Sequence, residues 1–314
     1  MSMKDKKIVI TGVAGFIGSN MAESLVKENE VIGVDNLSWG KRDNINSLLE
    51  NKNFKFVKED VNNTESLTKI IKGTDLVVHL SANPDVRLGY GNTDIDFKEN
   101  AKATYSVLEA MRISDVRELI FSSSSTVYGI PSVMPTPENY GPLKPVSHYG
   151  ASKLAAEGFI FSYSSMYNFK SSIFRFANVV GRKGTHGVIY DFINKLRKNS
   201  GFLEVLGDGT QSKSYIYVDD CIDAMTFLHG KDDGLFNIGT DGRTSVLDIA
   251  KFVIDKYSPG AKIKLMGGPN GGGWPGDIKI MSLDISKAKS YGWNYKLNSD
   301  DAIRKTVDEL GAKA

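Results

Sequence analysis

Lys7-Ile8-Val9-Ile10-Thr11-Gly12-Val13-Ala14-Gly15-Phe16-Ile17-Gly18 is the stretch on which the fold turns. A short apolar run ends in a turn holding three glycines, and a helical pattern follows over 17–27. Residues without a Cβ let the backbone come close to a pyrophosphate, and the amides of a helix N-terminus favour an anion there. Alone, the glycine spacing is a weak signal; between a strand and a helix it carries weight.

Outward from this motif, the first half alternates apolar β-branched runs (7–11, 31–34, 54–57, 76–80, 119–122, 172–176) with helical periods over 17–27, 64–71, 96–111 and 149–167. Near-continuous apolar strands suit a sheet covered on both faces, and parallel strands need crossover helices. The pattern predicts an α/β fold of the doubly wound, Rossmann type, with a smaller C-terminal domain. Residues 1–177 form the first domain, to which 215–240 return, and 178–314 the second. There the spacing predicts helices over 188–197, 218–228, 246–257 and 299–310 and strands near 203–206, 236–238 and 262–265. The run Gly267-Gly268-Pro269-Asn270-Gly271-Gly272-Gly273 reads as a surface loop in preference to a lid, and no helix follows it as in a phosphate cradle.

Composition narrows the function. Thirty-nine basic residues against thirty-seven acidic leave a net charge of +2 without a basic stripe, which gives no reason to expect nucleic acid as a partner. The single cysteine, Cys221, forms no internal disulfide, and four scattered histidines have no metal-ligand spacing. No apolar run approaches the ~20 residues of a membrane span, and the charged N-terminus leads straight into a strand. A cytoplasmic protein without membrane or metal is expected.

Four further features point to chemistry. Asp35 ends the second strand seventeen residues beyond Gly18, where a carboxylate accepts both hydroxyls of an adenosine ribose and repels a 2′-phosphate. This favours NAD over NADP, although Lys41 and Arg42 lie close downstream. Asp60-Val61 and Leu80-Ser81-Ala82 close the third and fourth strands, where ligand contacts gather in such sheets. Tyr149 and Lys153 are four apart and share a helix face. Bringing a phenol from ~10 to ~7 requires about 4 kcal/mol of phenolate stabilisation, which a nearby ammonium helps to supply. Lastly, the hydroxyl run Ser122 to Thr126 ends the fifth strand and faces the same crevice.

Together these residues resemble the extended short-chain dehydrogenase/reductase family, and within it the UDP-galactose 4-epimerases. The resemblance runs from residue 7 to about 293. It is carried by the Gly12–Gly18 turn, Asp35-Asn36, Asp60-Val61, His79-Leu80-Ser81-Ala82, Asn100, Ser124-Ser125-Thr126-Val127-Tyr128-Gly129, Tyr149 with Lys153, and Arg175-Phe176-Ala177-Asn178. Later markers are Gly207-Asp208-Gly209-Thr210-Gln211, Tyr217-Val218-Asp219-Asp220 and Pro275-Gly276-Asp277.

The resemblance implies a tightly held NAD that touches Gly12, Gly15, Phe16, Ile17, Gly18, Asp35, Asn36, Asp60, Val61, Leu80, Ser81, Ala82, Asn100, Ser122, Tyr149 and Lys153. Tyr149 takes the proton of the sugar 4-hydroxyl, Lys153 holds the nicotinamide ribose, and Ser124 with Thr126 bonds the 4-oxygen. Hydride leaves C4, the 4-keto sugar turns, and hydride returns to the other face. A UDP-sugar is expected against Arg87, Ser124, Asn178, Val188, Leu203, Val205, Lys213, Asp277 and Met281.

Dehydratases of this family usually carry Asp-Glu where Ser125-Thr126 stand, and decarboxylases a Glu at Thr126, so simple redox at C4 is the expectation. Lys213 and Trp274 stand at usual arginine positions, which leaves the diphosphate to be shared with Arg87 or Arg182. Alternatives are another sugar-nucleotide epimerase or oxidoreductase, or a non-catalytic nucleotide sensor. A homodimer through a four-helix bundle is implied, built from 96–111 and 149–167 with Ala101, Ala103, Leu108, Phe159 and Phe161.

Overall fold

The strand of the opening motif, β1 (Lys7–Thr11), lies inside a seven-stranded parallel sheet in the computed structural model, which describes residues 3–232 and 234–311. The others are β2 (Glu30–Asp35), β3 (Phe54–Lys58), β4 (Leu76–His79), β5 (Glu118–Ser124), β6 (Lys170–Phe176) and β7 (Leu235–Ile238). Their order is β3-β2-β1-β4-β5-β6-β7. The chain winds outward from β1 to β3, then crosses back to β4. A crevice opens at that reversal, outside the carboxyl ends of β1 and β4.

Side chains alternate along β1, which explains its unbroken apolar character. Ile8 and Ile10 pack with Met21 and Leu25 of α1 (Phe16–Leu25), on the face that also holds Cys221 and Met225. Val9 points the other way, to Leu67 of α2 (Thr64–Ile71), Val107 of α3 (Ala103–Ile113) and Ile160 of α4 (His148–Tyr167). Burial on both faces removes the polar alternation of a half-exposed strand.

The expected helix over 96–111 is not uniform. A short helix, Thr93–Asp96, runs into a π-turn, Phe97–Lys102, before α3 begins. The wider turn carries Asn100, whose Oδ1 accepts the Asn83 amide at 2.8 Å while its Nδ2 donates to Ser152 Oγ at 2.8 Å. Ser147 caps α4, its hydroxyl accepting the Gly150 amide at 3.1 Å. Within α4, Glu157 forms a buried bidentate pair with Arg175 of β6, at 3.0 and 2.7 Å.

A second core lies beyond the sheet's carboxyl edge. In it α5 (Val188–Lys198), α7 (Val246–Tyr257) and α8 (Ser299–Gly311) bury Phe192, Val253 and Ile303 against Leu203 and Val205. Between them α6 (Val218–Leu228) returns to the sheet beside α1, and β7 pairs with β6. Lys213 lies on a two-residue strand, Ser212–Lys213, bracketed by Thr244–Ser245 and Ile280–Met281. Among the described residues no helix is long and apolar enough to cross a membrane.

The apolar surface named for α3 and α4 is redistributed. Ala101, Ala103 and Leu108 are buried within the chain. Phe159 and Phe161 are exposed, and Phe97, Tyr105 and Met166 join them.

Candidate active site

At the crevice, Gly12 takes a φ of +69°, and a Cβ there would lie 2.8 Å from the Ser81 amide nitrogen. A Cβ on Gly18 would lie 2.1 Å from the Gly12 carbonyl oxygen. Glycine is required at both positions, because β1, the start of α1 and the end of β4 touch backbone to backbone. The N-cap of α1 is Gly15, with no side chain to occupy the helix amides, which suits a pyrophosphate.

Asp35 is buried at the end of β2, its Oδ2 accepting the Ala14 amide at 2.9 Å and its Oδ1 that of Leu37 at 2.8 Å. Burial raises its pKa against the pull of those two bonds. Asn36 donates to Asp60 at 3.2 Å, tying the ends of β2 and β3 together. Val61 is buried in the core under α2. Leu80 and Ser81 donate backbone amides to Thr11 Oγ1 at 3.2 and 3.4 Å. The amide-rich turn, the missing Cβ atoms and the strand-end carboxylate fit a dinucleotide.

The neighbouring cleft, about 420 Å³, joins the two cores. Ser124, Thr126 and Tyr149 line it on the sheet side. Thr126 donates twice to Ser124 Oγ, from its amide at 3.2 Å and its hydroxyl at 3.0 Å. The Ser124 hydrogen is thereby left to donate, and this side chain reaches the Tyr149 phenol.

One turn further along α4, Lys153 is buried, its Nζ donating to the Ser122 carbonyl at 2.8 Å. That Nζ stands 5.8 Å from the Tyr149 ring centre and 4.9 Å from that of Phe121. Burial pulls Lys153 down to about 8, while Glu157 and Asp96 hold it up. The phenol differs from expectation: burial and Asp96 push Tyr149 above its ordinary value, and Lys153 faces its ring. Behind them His79 is neutral, taken down to about 3 by burial and the Lys153 charge, and fixed between Thr11 and Thr104.

The opposite wall gathers Arg87, Asn178, Val188, Lys213, Asp277 and Met281 from separate elements. Lys213 Nζ meets Asp277 Oδ1 at 2.8 Å and lies 5.5 Å from the Trp274 ring centre. Asp277 Oδ2 accepts the Gly273 amide at 2.9 Å, so the glycine-rich run ends in the cleft wall rather than on open surface. Arg87 is held by Asp85, with Nε to Oδ1 at 2.9 Å and Nη2 to Oδ2 at 2.7 Å.

Two of the residues expected at the sugar nucleotide lie outside the cleft. Leu203 and Val205 are wholly buried in the second core, and of the same stretch, which the resemblance sets beside the base, Leu206 lines the cleft. Of the two arginines offered as alternatives for a diphosphate, Arg87 lines the cleft, whereas Arg182 bonds Asp219 at 2.5 Å and lies outside the lining. Trp274 lines the cleft at its expected place beside Lys213, and Asp85 and His186 line it without an expected role. The signal for Asp85 is its place two residues before an arginine in one loop, where an acid can pair with it.

Residues 8–239 match the model of the NAD dependent epimerase/dehydratase family. The chain belongs to that family. A UDP-glucose 4-epimerase of Mycolicibacterium smegmatis is 31% identical over 317 residues, covering 96% of this chain and 97% of that one. A crystal structure of a UDP-galactose 4-epimerase is 39% identical with a TM-score of 0.87, covering 98% and 99% of the two chains. The UDP-glucuronic acid 4-epimerase of Bacillus cereus, solved with UDP-glucuronic acid and NAD, is 29% identical with a TM-score of 0.88 over 98% of this chain and 100% of that one. The fold is that of these epimerases, and NAD is the cofactor. As a family member the chain is an NAD-dependent UDP-sugar epimerase.

Proposed function

We propose that the chain interconverts UDP-galactose and UDP-glucose by transient oxidation at sugar C4. The observation that carries this reading is the strand end facing Tyr149, where Ser123, Ser124, Ser125 and Thr126 offer hydroxyls and no carboxylate. Elimination or decarboxylation calls for a further acid or base there, whereas epimerisation at one carbon does not. Tyr149 removes and returns the 4-hydroxyl proton, and Ser124, held by Thr126, donates to the 4-oxygen. Lys153 orients the nicotinamide ribose. NAD, when bound in the crevice of Gly12, Gly18 and Asp35, takes up the C4 hydride and gives it back.

Charge favours a neutral hexose. The cleft is lined by two permanent cations, Arg87 and Lys213, against three acids, Asp85, Asp191 and Asp277. Burial keeps the pKa of His186 low, leaving it neutral. A diphosphate already draws on both cations, so a uronic carboxylate would enter without a partner. Residues 1–177 with 215–240 serve as the cofactor domain and the rest of 178–314 as the sugar-nucleotide domain. The exposed aromatics of α3 and α4 suit a homodimer through a four-helix bundle, in the cytoplasm.

The test is to incubate the purified protein with UDP-galactose, adding no NAD, and to follow UDP-glucose. Conversion is expected, with UDP-glucuronate turned over far more slowly. Turnover of UDP-glucuronate but not UDP-galactose would overturn the reading.

A further inference from the structure

Asp96 is a wholly buried acid at the point where the π-turn begins, and no step at C4 calls on it. Its Oδ1 accepts Asn83 Nδ2 at 2.9 Å and Asn100 Nδ2 at 3.3 Å. Its Oδ2 has no hydrogen-bond partner. A Cβ on Gly89 would lie 2.2 Å from that oxygen, so glycine leaves the space the carboxylate fills.

The surroundings show what this charge acts on. Asn100 passes from Asp96 to Ser152, and the Ser152 hydroxyl donates to the Tyr149 carbonyl at 2.8 Å, which ties the acid to the first turn of α4. The groups of α4 that feel Asp96 are His148, Tyr149 and Lys153. From the loop after β4 and from the π-turn come only neutral partners, Asn83, Gly89 and Asn100. Lys153 feels one other acid, Glu157, and a neutral His79. The two acids differ in kind. Glu157 is neutralised by the bidentate Arg175 and also accepts the Ser123 hydroxyl, whereas Asp96 meets amides alone. Burial raises the pKa of Asp96 itself, while the two amides, His148 and Lys153 draw it back down. With no cation bonded to it, its carboxylate faces Lys153 across the low-dielectric space behind the Tyr149–Lys153 pair.

We propose that Asp96 is a positioning residue that balances the Lys153 charge and opposes loss of the Tyr149 proton, setting the pH at which the tyrosine becomes a base. The inference rests on the reading of Tyr149 as the base at C4. A like charge shifts a neighbouring acid upward, and removing it shifts that acid down, by roughly one pH unit. Asp96→Asn keeps the shape and the acceptor of the two amides while removing the charge.

The experiment compares wild-type and Asp96→Asn holoenzyme in two ways. The pH profile of kcat/KM with UDP-galactose should show its acidic limb moved down by roughly one unit, which is about tenfold more activity at a fixed pH below the limb. Tyrosinate absorbance, taken as the difference from Tyr149→Phe, should show the same downward move and needs no substrate. If the protein proves inactive toward UDP-galactose, that titration still decides the matter. A purely structural role would lower kcat at every pH and leave both midpoints in place. Unmoved or raised midpoints overturn the proposal. Should the asparagine variant not fold, Asp96→Ser, neutral and smaller, is held to the same downward shift.

Discussion

At the end of β1, Gly12 and Gly18 leave no room for side chains, and Asp35 is held by two backbone amides. Across the cleft, Lys213, Asp277 and Trp274 meet through side chains carried on a two-residue strand and a turn. One region is shaped by backbone that only glycine permits, and the other by ion pairs and rings on short elements. The first is rigid toward substitution yet indifferent to which sugar arrives. On the proposed function, the second meets the sugar nucleotide. Between them, Ser124 and Tyr149 belong to neither, since β5 and α4 bring them to the cleft as parts of regular structure.

The comparison breaks first at Tyr149. Tyr149→Phe should cut turnover by about a thousandfold while NAD stays bound, because a positioned general base contributes on that scale. Steady-state rates and the absorbance of the bound cofactor check both halves of the statement. Loss of NAD from this variant would mean that the two regions are not separable. Gly18→Ala comes next: with a Cβ 2.1 Å from the Gly12 oxygen, it should cost about 1–3 kcal/mol in stability and strip the cofactor. Thermal melting and cofactor content of the purified variant report it. Near-normal values would show that the turn yields more easily than its geometry allows.

On the opposite wall the expected effect falls on substrate binding alone. Lys213→Ala leaves Asp277 without its ammonium partner and removes one of two cleft cations. A charged hydrogen bond of this kind is worth about 1.5–3 kcal/mol, so KM for UDP-galactose should rise roughly tenfold or more with kcat little changed. A fall in kcat at constant KM would place Lys213 in the chemistry rather than in binding.

The same contrast explains what could be read from the residues. Gly12 to Gly18 and Asp35 stand on consecutive elements, so their spacing carries their geometry. Tyr149 and Lys153 share a helix face by virtue of being four apart. Leu203 and Val205 alternate with Phe202 and Glu204, and that period shows that they share a face without saying which face meets the cleft. Leu206 takes the role because the strand ends there and the chain turns. Asp96 was hidden for a different reason. A helix of constant period over 96–111 gives no sign of the π-turn that begins beside it and carries Asn100 to it. Spacing allows Asp85 to pair with Arg87, but whether the pair faces the cleft depends on rotamers. The phenol of Tyr149 was expected low because Lys153 is near, whereas burial and Asp96 weigh more than an ammonium over the ring.

The central claim is that hydride leaves sugar C4 and returns to the same carbon within one active site. It is tested most directly by supplying UDP-galactose deuterated at C4, in ordinary water, and analysing the product. UDP-glucose that keeps the deuterium at C4 is the expected product. Product with hydrogen at C4 would show exchange with solvent and contradict the claim.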